Sequence, residues 1–154
     1  MAQVKRSNRV TFAGILMGIG MGGFVDGIVL HQILQWHNML SNRIPPNTME
    51  AMRINMLWDG IFHAFVWLVT LFGIFMLWRS ARQNEPMPAL PAFLGQLLLG
   101  WGIFNLVEGI IDHQILEIHY VRQVPEYMVY NLTFLAVGGV LLILVGWILM
   151  RRDD

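Results

Sequence analysis

Val25-Asp26-Gly27-Ile28-Val29-Leu30-His31-Gln32-Ile33-Leu34-Gln35-Trp36-His37 returns, altered, as Val107-Glu108-Gly109-Ile110-Ile111-Asp112-His113-Gln114-Ile115-Leu116-Glu117-Ile118-His119, 82 residues later and without a gap. Eight of the thirteen positions are identical, and Asp26 against Glu108 keeps the carboxylate. The match extends upstream, where Gly18 and Gly20 align with Gly100 and Gly102. A shorter echo is Trp58-Asp59-Gly60-Ile61-Phe62-His63. Each copy sets a carboxylate and a histidine inside an otherwise apolar run. An ionisable side chain at membrane depth costs about 3 kcal/mol on insertion scales, so such residues are normally paired, face the interior and serve a function.

The surrounding composition makes the membrane reading firm. Of 154 residues, 56% are hydrophobic and 13% charged, against about 25% charged in a soluble domain. Mean hydropathy is +0.55. The length suits a single domain. Net charge is zero, which gives no footprint for nucleic acid, and no nucleotide-binding motif is present. The absence of cysteine excludes disulfides, thiolate ligands and a catalytic thiol.

Apolar runs long enough to cross a bilayer, which takes about 20 residues, fall at about 10–36, 57–78, 92–118 and 127–150. The first run is too long for a signal-peptide core, contains Asp26 and lacks a small-residue cleavage site after it, so it reads as a retained helix. Ile44-Pro45-Pro46-Asn47 breaks the chain. Thr48 then looks like an N-cap for a short amphipathic outer segment, 48–56, with Met49, Met52 and Met56 on one face. The fold class expected is an all-α membrane protein. Its four transmembrane helices form a bundle of two parallel two-helix repeats. Gly14, Gly18 and Gly22 give the first helix a small-residue stripe for close packing.

Basic residues set the orientation. Lys5, Arg6, Arg9, Arg79, Arg82, Arg151 and Arg152 lie on one side, and only Arg43, Arg53 and Arg122 on the other. Seven against three places both termini on the cytoplasmic side. At 1.5 Å rise per residue, His31, His63 and His113 then share a layer roughly 9 Å below the outer boundary, with Asp112. Asp26 and Glu108 lie at about 15 Å, whereas His37, His119 and Asp59 sit near the surface.

Convergence of this kind suits a transition-metal centre near the outer leaflet. His31, His63 and His113 are the first ligands expected, with Asp59, Asp112, Asp26 and Glu108 as carboxylate partners. His37 and His119 are expected as a second site or a way in. His31 and His37 are six residues apart, which a straight helix puts on different faces, so they share an ion only if the helix ends or bends between them. Copper leads, because methionines cluster on the outer side, with iron or zinc next. Haem held between His31 and His113 is another reading, against which the adjacent carboxylates stand. A proton relay through Glu108, Asp112 and His119 is a third, but it stops at Gly95-Gln96-Leu97-Leu98-Leu99. A buried polar network that only fixes helix register is a fourth. Three convergent copies speak against it.

Gly23-Phe24-Val25-Asp26-Gly27-Ile28-Val29-Leu30-His31-Gln32-Ile33-Leu34-Gln35-Trp36-His37, with Asn55-Met56-Leu57-Trp58-Asp59-Gly60-Ile61-Phe62-His63, resembles the signature of a bacterial membrane-protein family catalogued as domain of unknown function 2243. The resemblance covers nearly the whole chain. It implies a small polytopic inner-membrane protein and supplies no catalytic residues. It departs at His37-Asn38, where relatives read His-His. The functions expected are an accessory or assembly component of a respiratory or oxygenase complex, or a membrane metalloenzyme with a dinuclear centre. A haem-binding electron-transfer protein and a structural subunit remain as further alternatives. The partners expected are the lipid bilayer and other membrane subunits or further copies of the chain.

Overall fold

The structure is a computed structural model that describes residues 7–151. Lys5, Arg6 and Arg152, which enter the charge count above, lie outside the described residues. The described chain is all helix and connection. Four helices are long and apolar enough to cross a membrane: α1 (Asn8–Ile33), α2 (Met49–Arg82), α3 (Leu90–Ile115) and α4 (Tyr127–Arg151).

α1 and α3 lie together at the centre, with α2 packed on α1 and α4 on α3. Glycine makes the central contact. A Cβ on Gly18 would collide with the Leu97 carbonyl, and one on Gly100 with the Ile15 carbonyl. Both members of the second contact lie 82 residues from their counterparts in the first. Backbone therefore meets backbone, as in membrane helix pairs that associate through small residues rather than through water exclusion. Gly20 faces α2 at Thr70, while Gly102 faces α4 at the Gly139 carbonyl. The outer helices keep large side chains outward: Phe65, Trp67, Phe72 and Trp78 of α2 are exposed, as are Val137, Leu144 and Ile148 of α4. On a membrane protein that surface is solvated by acyl chains.

The ends are capped by local chemistry. Ser7 Oγ accepts from Val10 N at 3.4 Å and opens α1. Thr48 Oγ1 accepts from Ala51 N at 3.1 Å and opens α2, as the sequence predicts. The separate outer segment expected over 48–56 is absent as such. It runs without a break into the span from 57, in a single helix of 34 residues. No glycine or proline stands between Thr48 and Leu57 to interrupt it. Pro91 enters α3 in its first turn, where its missing N–H costs nothing. At the end of the molecule where α1 begins, Arg9 reaches Gln83 at 2.9 Å and Glu85 at 3.3 Å, and Ser7 also bonds Glu85.

α1 and α3 do not finish as regular α-helices. Both widen to π geometry, over Asp26–Ile33 and Ile111–Ile115. In α1, Leu34 N donates to Val29 O at 2.8 Å and Trp36 N to Leu30 O at 2.9 Å. In α3, Leu116 N donates to Ile111 O at 2.7 Å and Ile118 N to Asp112 O at 2.9 Å. Between the two closing bonds sits a left-handed residue, Gln35 with φ 51 and Glu117 with φ 46. Such a residue ends a helix by turning the chain back over its last turn.

Candidate metal centre

Widening and reversal bring together residues that a straight helix would separate. A turn closed by i→i+5 bonds sets residues five apart nearly one above the other. His31 thus comes round towards Asp26, and His113 towards Glu108. The reversals at Gln35 and Glu117 then fold His37 and His119 back over the same spot. Single π turns inside α-helices are frequent at functional sites.

The outcome is a closed cluster of four imidazoles and two carboxylates. His31, His37, His113, His119 and Asp26 are at most 3% exposed, and Glu108 is 7% exposed. The His37 and His119 rings stack, 4.5 Å between centroids and 10° between planes. His31 meets His37 edge-on at 4.4 Å, and His113 meets His119 at 4.8 Å. Asp26 Oδ2 lies 3.0 Å from His31 Nε2, and Asp26 Oδ1 lies 4.0 Å from His37 Nε2. Glu108 Oε1 lies 3.8 Å from His113 Nε2 and 3.5 Å from His119 Nε2. Each carboxylate therefore stands beside the two histidines of its own stretch.

The outer nitrogens are fixed from behind, which decides the tautomers. His37 Nδ1 donates to Val121 O at 2.9 Å, and His119 Nδ1 donates to Met39 O at 3.0 Å. The two bonds are exchanged between the connections, since Val121 stands 82 residues after Met39. A carbonyl only accepts, so both histidines carry a proton on Nδ1 and turn a bare Nε2 lone pair inward. Burial pushes the His37 imidazole down to about 4 and the His119 imidazole down to about 3. Both are neutral at pH 7, the form that binds a metal.

His31 is held differently. Its Nδ1 donates to Asp59 Oδ1 at 2.9 Å. Asp59 is itself fixed by Met39 N at 2.8 Å and by Asn38 Nδ2 at 2.8 Å. His113 has no such support, and both of its ring nitrogens are buried without a hydrogen-bond partner. The inward-facing atoms His31 Nε2, His37 Nε2, His119 Nε2, both Asp26 oxygens and Glu108 Oε2 are buried and make no well-directed hydrogen bond, although Asp26 Oδ2 and His31 Nε2 stand 3.0 Å apart as an ion pair. A buried unpaired donor or acceptor costs about 1–3 kcal/mol. Among the described residues two groups have ligand atoms within 4.8 Å of one another, namely His31, His37 and His119, and Glu108, His113 and His119.

Of the other residues expected at the site, His63 lies apart from both groups. Its Nδ1 donates to the Asp59 carbonyl at 2.7 Å, and its Nε2 packs on Gly27. Asp59 supports His31 from behind, and Asp112 is half-buried, lining a neighbouring cavity. The roof is made by the two connections. Asn42 N donates to Ile118 O at 2.9 Å, Gln123 N to Trp36 O at 3.2 Å, and Arg43 bonds the Leu116 carbonyl. Arg122 lies over Trp36 and Tyr130, 5.1 and 5.2 Å from the ring centroids. Asn55 and Asn131 hold the two connections in place. Asn55 Oδ1 accepts from Leu40 N and Asn131 Oδ1 from Val121 N, each at 3.0 Å. An asparagine near the outer end of an apolar span is the signal for both.

Residues 13–153 match the family model described as "Predicted membrane protein (DUF2243)". The chain belongs to this DUF2243 family. No curated protein and no solved structure matches it. Family membership and the four apolar helices agree on a membrane protein. The chemistry has to be read from the cluster itself.

Proposed function

We propose that the chain is a membrane-embedded transition-metal protein whose centre takes two ions. Asp26, His31 and His37 hold one, and Glu108, His113 and His119 hold the other. The observation that supports this most strongly is the set of buried imidazole nitrogens and carboxylate oxygens that make no well-directed hydrogen bond, around two groups whose ligand atoms lie within 4.8 Å of one another. Two metal ions would give those atoms the partners that the protein's own hydrogen bonds leave out. The placement of each carboxylate beside its own two histidines favours two positions over one.

The donor set is imidazole and carboxylate, which suits iron, zinc or Cu(II) better than Cu(I). The methionine argument for Cu(I) weakens, because Met49 is 74% and Met56 61% exposed on the outside of α2. A haem between His31 and His113 would need a flat slot, and the stacked His37 and His119 rings occupy the middle of the cluster. The seven-to-three bias of basic residues in the sequence supports termini on the cytoplasmic side and a centre towards the outer leaflet. The test is metal content of variants purified in detergent. His119→Ala lowers bound metal sharply, and His63→Ala leaves it unchanged. Equal retention in both would overturn the ligand set. An accessory or assembly subunit of a respiratory complex and a metalloenzyme both accommodate such a centre. A cavity that ends on Glu108 favours a centre that meets a small molecule.

A further inference from the structure

Between α2 and α3, floored by α1, lies a cavity of about 360 Å³ that ends on Glu108 and Asp112. A second, of about 300 Å³, adjoins it, shares Phe62, Phe65 and Asp112, and reaches the connections at Leu40 and Ile118. The volume of each is in the range of small-molecule sites. Phe62, Phe65 and Phe104 form aromatic walls, and Phe65 and Val107 at the rim are exposed. Phe62, Phe65, Phe104 and Val107 belong to helices long and apolar enough to cross a membrane, so this face of the cleft would border the hydrocarbon of a bilayer.

The polar lining decides what fits. The first cavity offers carboxylate oxygens from Glu108 and Asp112, the second from Asp112 alone, and neither is lined by a cationic side chain. A fatty acid or a phosphate would find no cation to pair with. A plain hydrocarbon would leave the carboxylates without a donor. Glu108 Oε2 is buried and makes no well-directed hydrogen bond, while Glu108 Oε1 stands 3.5 Å from His119 Nε2 and is the oxygen turned to the proposed metal position. A hydroxyl donated to this carboxylate lies one residue from the cluster of histidines.

We propose that this cleft binds a neutral, lipid-dissolved molecule with a hydroxyl on an aromatic ring, of phenol or quinol type. The ring lies among Phe62, Phe65 and Phe104, the hydroxyl donates to Glu108 or Asp112, and the alkyl tail leaves past Val107 into the bilayer. The proposal supplies the metal centre with its small molecule and rests on that reading for its purpose. Its binding chemistry stands on the cavity alone.

The test uses the full chain in detergent and equilibrium dialysis with radiolabelled 4-nonylphenol and its methyl ether, 4-nonylanisole, with metal content measured on the same sample. Saturable binding of the phenol is expected, about tenfold tighter than that of the ether, because the ether leaves the carboxylates without a donor. Val107→Trp should fill the mouth and abolish binding while metal content stays at the wild-type level. Asp112→Leu should lose about tenfold. Equal affinity for phenol and ether, or wild-type binding by a metal-loaded Val107→Trp variant, overturns the proposal. The ether comparison needs no variant to fold. Phenol binding by a protein that holds no metal would sink the metal centre and leave the cleft standing. Metal without phenol binding would do the reverse.

Discussion

Asp59→Asn is the substitution that separates the two proposed ion positions. In the wild type Asp59 Oδ1 accepts from His31 Nδ1 at 2.9 Å and Oδ2 accepts from Asn38 Nδ2 at 2.8 Å. A carboxylate behind a ligating imidazole fixes its ring and raises its basicity, and losing such a partner costs 10–100-fold in metal affinity, or about 1.4–2.7 kcal/mol. Asparagine keeps an acceptor for His31 but removes the charge and sets its NH₂ against that of Asn38. The lower end, about tenfold, is therefore expected for Asp59→Asn, and the upper end, about a hundredfold, for Asp59→Ala. The effect should fall on one ion only, because His113 has no counterpart of Asp59 behind it. Zinc titrated against a chromophoric chelator reads this as two phases, with one shifted and the other at its wild-type midpoint. Two unchanged phases, or two phases shifted equally, would refute the assignment of His31 and His113 to separate positions.

Other substitutions probe the framework. Gly100→Leu should break the central crossing, because even a Cβ there collides with the Ile15 carbonyl. Overpacking of this kind costs about 1–3 kcal/mol or more, read as a lower Tm in detergent together with lost metal. Glu117→Gly should raise Tm slightly and leave metal content alone, because φ 46 costs a non-glycine residue about 1 kcal/mol. Stability should also fall as pH is lowered from 6.5 towards 4. His37 and His119 take up protons in the unfolded chain near 6.5 but, when folded, only near about 4 and about 3. The unfolded state therefore binds more protons in that window, and each histidine lowers stability by up to ~1.4 kcal/mol per pH unit. Thermal melts between pH 7.5 and 5 should show this, with a shallower slope in His37→Gln. A Tm that rises on acidification would contradict it.

The membrane architecture was legible because apolar run length and glycine spacing are local properties of the chain. The carboxylate–histidine pairs were legible because the second stretch copies the first. Position in depth follows from a fixed rise per residue, and His31, His63 and His113 were grouped on that ground. Rise says nothing of direction around the helix, however. α2 turns Asp59 towards His31 and leaves His63 against Gly27 and its own backbone. The converse holds for His37 and His119. A six-residue spacing from His31 and His113 looks wrong on an ideal helix. Only the π widening and the left-handed Gln35 and Glu117 bring these rings inward. Nothing in the residue types of Gln35 or Glu117 marks a left-handed turn, which glycine or asparagine would have done. The tautomers of His37 and His119 depend on carbonyls 84 and 80 residues away, beyond the reach of any local pattern.

The most direct test of the central claim is elemental analysis of the full chain, purified in detergent without chelator and then loaded with iron or zinc and desalted. The account predicts two equivalents per chain in the wild type and close to none in a folded His37→Ala/His119→Ala double variant. A wild-type chain that holds no metal after loading, or a double variant that holds as much as the wild type, would contradict it.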